Sequence, residues 1–284
     1  MSLLTDATTE EVERLLALFP AANLRDEWPA YEDQPKDDTC KVVATDRPRA
    51  EVSAFVKKAF GYCKQHVHLF ATNGKVTKLP AKITDGEKLA TLTARSAIYL
   101  TRCSITVILT DTHEDAAIDF LWPVKIEVTD KHAILSAVIL KKDIASYFPS
   151  RALVNSSGLS EETIVADVMQ DLNLTPLDVH KGVKALWHSK YMDCHFTKYR
   201  KAKSSAYEIV DRTEKKGIRE NEPALYEVLR KAPMRQSVFH LDEKEKTSIH
   251  HFSVDPTMGT LAFSTYAETE TDPSNVVRKI LQGN

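Results

Sequence analysis

The stretch YLTRCSITVIL, residues 99–109, decides the fold class of the N-terminal half of this chain. Apolar and β-branched side chains recur there at every second position, and this period is typical of a strand with one buried face. Two further strand-like runs cover residues 118–128 and 133–140, with a turn at residues 129–131 between them. Successive strands joined by short turns predict an antiparallel meander.

Helices are predicted on the N-terminal side of this meander. Thr8 and Glu11 form a capping-box pattern ahead of an apolar stripe that stops at Pro20. Residues 50–63 carry a second stripe at helical spacing. Residues 21–48 are rich in Asp, Glu, Pro and Lys, so a surface loop or an extended arm is predicted there. The fold class is therefore predicted to be α+β, with a helix-flanked antiparallel sheet.

A domain boundary is predicted in residues 149–158, which have the composition of a linker. Helix-start signals follow at Ser160 and Pro176, and the runs 192–199 and 205–210 can then pair as a hairpin. Helix, turn, helix and a hairpin with a basic tip is the order of a winged-helix module. A winged-helix-like segment is therefore predicted in this part of the chain.

Three short strands and a terminal helix are predicted after the hairpin. The strands lie at residues 237–241, 248–254 and 260–266, and an Asp-Pro pair opens the helix at residue 272. They predict a small antiparallel C-terminal sheet. The predicted domains are an α+β N-terminal domain of residues 1–155 and a second domain of residues 156–284.

The composition is typical of a globular protein, and the net charge predicts no overall attraction to polyanions. The 284 residues are 43% hydrophobic and have a net charge of −2, which fits one large or two modest domains and excludes a histone-like coat of cations. The four cysteines are scattered, as for free thiols in a reducing compartment. No signal peptide is visible, and no apolar run approaches the roughly 20 residues that cross a bilayer. We therefore predict a cytoplasmic protein without a membrane partner.

One segment departs from this balance. Residues 181–219 hold eleven lysines and arginines against four carboxylates, with five aromatic rings among them. Such local positive charge predicts contact with a polyanion, and rings beside cations suit contact with bases. The predicted nucleic-acid-binding residues are Lys184, Lys198, Tyr199, Arg200, Lys201 and Lys203. Trp187 and Phe196 are predicted to pack the hairpin against a helix, whereas Tyr199 is the predicted stacking ring.

Metal binding has a weaker pattern. Cys63, His66 and His68 offer three ligands within six positions, and Cys194-His195 or His250-His251 could supply a fourth. A structural zinc site normally shows two well-spaced ligand pairs, and that spacing is missing here. We therefore predict no metal and no cofactor.

Catalysis has no clear sequence signature either. Asp119 and Glu127 could hold a divalent cation in a nuclease, but the lysine expected two positions after the second carboxylate is replaced by Thr129. The adjacent Cys194 and His195 would point to opposite faces of a strand and form no nucleophile-base pair. No catalytic residue is assigned, and a non-enzymatic function is favoured.

The sequence thus predicts a nucleic-acid-binding or accessory protein that contacts the phosphates of DNA or RNA through its basic C-terminal hairpin. The alternative is a protein-binding subunit of a multiprotein assembly, because winged-helix modules serve that role as well. A metal-dependent nuclease is the lesser alternative.

Overall fold

A computed structural model of the chain describes residues 2–74, 76, 78–140, 152–155, 161–200, 207–211, 217–241 and 251–284. Its α-helices are α1 (Thr9–Ala17), α2 (Ala21–Glu27), α3 (Lys36–Asp46), α4 (Arg49–Ala59), α5 (Glu161–Asp171), α6 (His180–His188), α7 (Ile218–Asn221), α8 (Pro223–Leu229) and α9 (Asp272–Gly283). Its strands are β1 (Gln65–Thr72), β2 (Glu87–Thr93), β3 (Ser96–Leu109), β4 (Asp115–Val128), β5 (His132–Val138), β6 (Ala152–Asn155), β7 (Leu174–Pro176), β8 (Met192–Arg200), β9 (Tyr207–Asp211), β10 (Met234–Leu241), β11 (His251–Asp255) and β12 (Thr260–Phe263). The mixture of helices with antiparallel strands confirms the α+β class.

The chain divides into two compact units. The first unit comprises Met1–Cys63 and Thr72–Leu174, and the second comprises Lys64–Ala71 and Thr175–Asn284. The sequence-based boundary between residues 155 and 156 stays a prediction, because residues 156–160 lie outside the described part of the chain.

The first unit contains the predicted meander. Strands β2, β3, β4 and β5 pair in that order, all antiparallel, and β6 pairs with the far end of β3. The long β3 and β4 stay paired from Ser96↔Glu127 to Ile108↔Asp115. Helix α1 packs on β4 and on α3, and the predicted capping box of Thr8 and Glu11 is present. This agreement is local in origin, because period-two patterns and caps act within a few residues.

The prediction of a loop over residues 21–48 is wrong, since α2 and α3 occupy most of it. Pro20, Pro35 and Pro48 are the residues that immediately precede α2, α3 and α4. Proline is well tolerated at a helix start because the backbone N–H that it lacks would have no intrahelical partner there. These prolines therefore separate short helices and do not mark irregular structure.

The second unit contains one antiparallel sheet of the order β1-β12-β11-β10-β8-β9. The predicted hairpin is β8 and β9, and the three predicted C-terminal strands are β10, β11 and β12. Helices α6 and α9 pack against each other, and α6 also packs on β8. The winged-helix arrangement is not confirmed, because α5 and α6 belong to different units and the hairpin continues into this larger sheet.

The predicted helix start at Pro176 is wrong. Pro176 lies in β7, and α6 begins at His180. The Asp178 carboxylate accepts a hydrogen bond from the His180 backbone N–H at 2.9 Å, and it therefore binds one of the free N–H groups at the helix start. In the described part of the chain, no helix is long and apolar enough to cross a membrane.

Candidate functional site

The sheet of the second unit has two unlike faces. Phe239, Phe252, Leu261 and Phe263 are buried on the inner face, where Trp187 of α6 meets the Phe239 ring edge-on at 5.6 Å between centroids. The intervening residues form the other face, which we call the outer face. Its residues are half-buried or exposed and include His66, Phe196, Lys198, Arg200, Tyr207, Ile209, Asp211, Arg235, Val238, His240, His251 and Ser253.

Cations gather at one end of the outer face. Lys198 on β8 lies directly opposite Arg235 on β10, and Arg200 lies two residues further along β8. Side chains directly opposite each other across antiparallel strands have Cβ atoms about 4.5–5.5 Å apart, so like charges there repel. Within the described part of the chain, no salt bridge neutralises any of these three cations.

The two cations of the opposed pair differ in their surroundings. The Lys198 ammonium donates a short hydrogen bond to the Gln236 amide oxygen, which is uncharged. The Nε of Arg235 is buried and has no hydrogen-bond partner among the described residues. A neutral acceptor holds an ammonium without cancelling its charge, and the nearest outer-face carboxylate on β9 is Asp211, opposite Phe196.

An exposed aromatic ring lies beside the cations. Tyr207 on β9 is opposite Arg200, and the guanidinium carbon of Arg200 is 6.0 Å from the centre of the Tyr207 ring. Tyr207 is 42% exposed, and the neighbouring outer-face residue Ile209 is 63% exposed. A ring and a guanidinium presented together on a surface suit stacking against a flat, electron-rich group.

Tyr199 does not suit the stacking role that the sequence predicted for it. It lies on the inner side of β8 with only 3% exposure, and its hydroxyl donates to Glu208 Oε2 at 2.7 Å. A ring without an open surface cannot receive a base, and Tyr207 has the exposed position instead. The alternation along the hairpin could have indicated this, because Arg200 and Tyr207 share one face whereas Tyr199 faces the other way.

Lys184 also lies apart from the outer face. It is on α6, which packs on the inner face, and its Nζ donates to the Ala232 backbone carbonyl at 2.6 Å. Burial lowers its pKa, and the nearby Asp178 carboxylate partly opposes that shift. Lys184 therefore ties α6 to the segment that follows α8. Lys201 and Lys203 lie outside the described residues.

Histidines lie at the other end of the sheet, where His240 and His251 belong to the outer face and His195 is buried, with 7% exposure. The rings of His195 and His240 are stacked, with their centroids 3.8 Å apart and their planes inclined at 23°. The centroid of the His251 ring is 5.6 Å from that of His240. A register shift between β8 and β10 brings His195 beside His240, because Cys194 pairs with Phe239 whereas Phe196 pairs with Val238. These residues are distant in sequence, so sequence analysis had no signal for the cluster.

The metal pattern is not assembled into a ligand group. His66 and His68 lie on the same face of β1, but the described residues contain no group of three or more His, Cys, Asp or Glu side chains that could hold a metal. Cys63 is fully buried, and burial raises the pKa of its thiol. A neutral thiol is a poor metal ligand, since the thiolate is the coordinating form.

The geometry gives equally little support to the two catalytic patterns. Asp119 and Glu127 lie eight residues apart on the single strand β4, which separates their Cα atoms by about 26 Å, too far to share a cation. Burial raises the pKa of the Cys194 thiol well above its ordinary value, and its Sγ donates to the Phe196 carbonyl at 3.2 Å. His195 stacks on His240 and does not accept from that thiol.

No family model, no curated protein and no solved structure matches this chain. The function must therefore be inferred from the chemistry of the surfaces of this chain. At one end of the outer face, three cations that form no salt bridge with any described residue lie beside an exposed ring, and this combination can bind an extended, ring-bearing anion.

Proposed function

We propose that this chain is a non-enzymatic nucleic-acid-binding or accessory protein that holds phosphates at the basic end of the outer face. The observation that carries the proposal is the opposed pair of Lys198 and Arg235, with Arg200 beside it. Opposed like charges destabilise a sheet, and a phosphate bound between them would offset that repulsion. Binding of an anion would therefore stabilise this pair of cations.

The sequence of the hairpin extends this basic end. The segment between β8 and β9 contains Lys201 and Lys203, which closely follow Arg200. Cations that follow one another closely in the sequence can contact successive phosphates of a nucleic-acid backbone. A winged-helix arrangement of this region remains a prediction, and the proposal does not depend on it.

The second candidate is a protein-binding subunit of an assembly, and Ile209 favours it. This side chain is 63% exposed on β9, the last strand in the sheet order of the described residues. An exposed aliphatic residue on such a strand suits a protein partner more than a phosphate. The two candidates differ in which side chains on the same face provide the affinity.

A binding titration with charge variants tests the proposal. The double variant Lys198→Gln with Arg235→Gln removes the opposed cations, so affinity for labelled oligonucleotides should fall. The slope of log affinity against log salt should also decrease, by about 0.7–0.9 for each phosphate that the protein no longer neutralises. The matched control is Lys181→Gln with Lys231→Gln, which removes two exposed cations that lie in or just after helices and not on the outer face.

The control should bind oligonucleotides like the parent protein. No binding of the parent to any oligonucleotide at low salt would refute the proposal. Equal reductions of affinity in the two double variants would show that general charge, and not the opposed pair, attracts the nucleic acid.

A further inference from the structure

We infer that the outer face binds single-stranded nucleic acid in preference to duplex, with unpaired bases stacked on its rings. This inference rests on the proposed function and specifies the class of ligand. It depends on the width of the sheet, on the positions of the rings relative to the cations, and on the surface that a base must expose in order to stack.

The width of the sheet argues against insertion into a duplex groove. Six strands at a spacing of about 4.8 Å make a face about 24 Å across, twice the roughly 12 Å width of the major groove. A two-stranded ribbon could enter that groove, but β8 is not part of a separate ribbon. It pairs with β10 as far as Tyr199↔Met234, and the Arg200 N–H donates to the Pro233 carbonyl at 3.1 Å.

Aromatic or imidazole rings lie at both ends of the outer face. The cations and apolar groups lie between these rings or next to them. Tyr207 is next to Arg200 at one end, and the exposed His240, whose ring stacks on the buried His195, is at the other. Arg200 follows His195 by five residues on β8, which is about 17 Å along the strand. Half-buried Phe196 lies between these ends, one outer-face position from Lys198. A strand of nucleic acid that runs along β8 would first meet His240 and Phe196, then Lys198, and finally Arg200 with Tyr207 beside it.

Stacking on these rings needs an unpaired base. In a duplex, each base covers the faces of its neighbours, so only the backbone and the groove edges reach a flat protein surface. In a single strand, a base can turn its face to Tyr207 or to the exposed imidazole of His240 while its phosphate contacts Lys198. The cations would attract either form of nucleic acid, but the rings add affinity only for the single strand.

Fluorescence anisotropy on the full chain provides the test, with a labelled oligothymidine and a duplex of equal length as probes. We expect tighter binding of the oligothymidine. Tyr207→Ala and His240→Ala should each weaken that binding about five- to a hundredfold, the range for removal of one base stack. Tyr207→Phe keeps the ring and should restore the affinity, and none of these changes should weaken duplex binding to the same degree.

Tyr31→Ala is the matched ring control. Tyr31 lies in the first unit, also beside an arginine, with the guanidinium carbon of Arg47 5.6 Å from its ring centre. Its replacement should leave oligothymidine affinity unchanged. Thermal melts of every variant would show that each remains folded.

The outcomes separate this inference from the function on which it rests. Equal affinity for duplex and single strand, or unchanged affinity in both Tyr207→Ala and His240→Ala, would overturn the inference, whereas weaker binding by the Lys198 and Arg235 double variant would still support the function. No binding to either probe would overturn both. Self-association abolished by Ile209→Ser in sedimentation, together with no oligonucleotide binding, would identify the face as an interface between copies of this chain.

Discussion

The Asp193 carboxylate connects three elements of the second unit through one oxygen. Its Oδ1 accepts from Trp187 Nε1 on α6 at 2.7 Å, from the Cys194 N–H on β8 at 2.8 Å and from the Arg219 N–H on α7 at 3.1 Å. Trp187 is fully buried, and its ring also meets Tyr226 edge-on at 4.9 Å. This burial confirms the predicted packing role of Trp187 and makes it a sensitive position for stability, whereas Phe196, with the same predicted role, lies half-buried on the outer face, away from α6.

Truncation of Trp187 should therefore destabilise the protein strongly. Trp187→Ala leaves a cavity and an incompletely bonded carboxylate, so the free energy of unfolding should fall by about 3–5 kcal/mol. Trp187→Phe keeps most of the packing and removes the hydrogen bond to Asp193, and it should cost less. Urea unfolding followed by circular dichroism measures both. A decrease below about 1 kcal/mol for Trp187→Ala would contradict the packing role.

Tyr99 in the first unit should make stability depend on alkaline pH. Its hydroxyl donates to the Pro80 carbonyl at 2.8 Å, and burial raises its pKa to about 12, compared with about 10 in an unfolded chain. Between these values the unfolded state releases a proton that the folded state keeps. The stabilising contribution of this phenol is thus complete below about pH 10 and is lost as the pH rises toward 12.

Tyr99→Phe removes the ionisable group and should reduce the fall in stability over this pH range. Urea unfolding of the parent and the variant at neutral pH and at steps between about pH 10 and 12 gives the comparison. Identical pH dependence in the two proteins would mean that Tyr99 does not keep its proton in the folded state.

The pairing of α6 with α9 depends on the absence of a side chain at Gly182. A Cβ atom built there would lie 2.0 Å from the Ile280 carbonyl oxygen, which belongs to the backbone and cannot rotate away. The Gly182 N–H also donates to the Asn284 side-chain oxygen at 3.3 Å. The two helices therefore approach each other at a glycine, and this close approach fixes how α9 covers α6.

Gly182→Ala should destabilise the protein even though alanine is the better helix former. The propensity gain is about 1 kcal/mol, whereas forcing the helices apart costs typically about 1–3 kcal/mol or more, so a net decrease in stability is expected. Lys181→Ala changes the adjacent exposed position and should alter the melting temperature little. Thermal melts give the melting temperatures of both variants and of the parent protein. A higher melting temperature for Gly182→Ala than for the parent would show that the helices can separate without loss of stability.

The course of the chain through the two units makes the second unit discontinuous. Strand β1 pairs with β12 from Gln65↔Phe263 to His68↔Thr260, so the partner strands lie near opposite ends of the sequence. The first unit contains most of the residues between them. A cut at the sequence-based boundary would therefore remove β1 from the sheet that contains the proposed binding face.

A fragment of residues 156–284 should accordingly fold poorly. Without β1, the backbone groups of β12 have no partner strand on that side, and the buried side chains of Leu261 and Phe263 are less well covered. The control joins residues 64–72 to residues 175–284 through a flexible Gly/Ser linker, which should recover cooperative melting in circular dichroism. A cooperative transition of the shorter fragment at the parent's temperature would show that β1 is dispensable.

The sequence alone determined the features that depend on near neighbours. The alternation over residues 99–109 and the pairing of Thr8 with Glu11 act within a few residues, so the meander, the first helix and the hairpin could be predicted. The concentration of cations in residues 181–219 was equally visible, because charge can be counted without a fold.

Only the tertiary structure decided which of these residues share a surface. Arg235 faces Lys198 because β10 pairs with β8, and Tyr207 is exposed while Tyr199 is buried because helices cover one face of that sheet. The period of a strand divides its residues into two sets, but it does not say which set will be covered. That choice depends on strands and helices far away in the sequence, and so does the position of β1 beside β12.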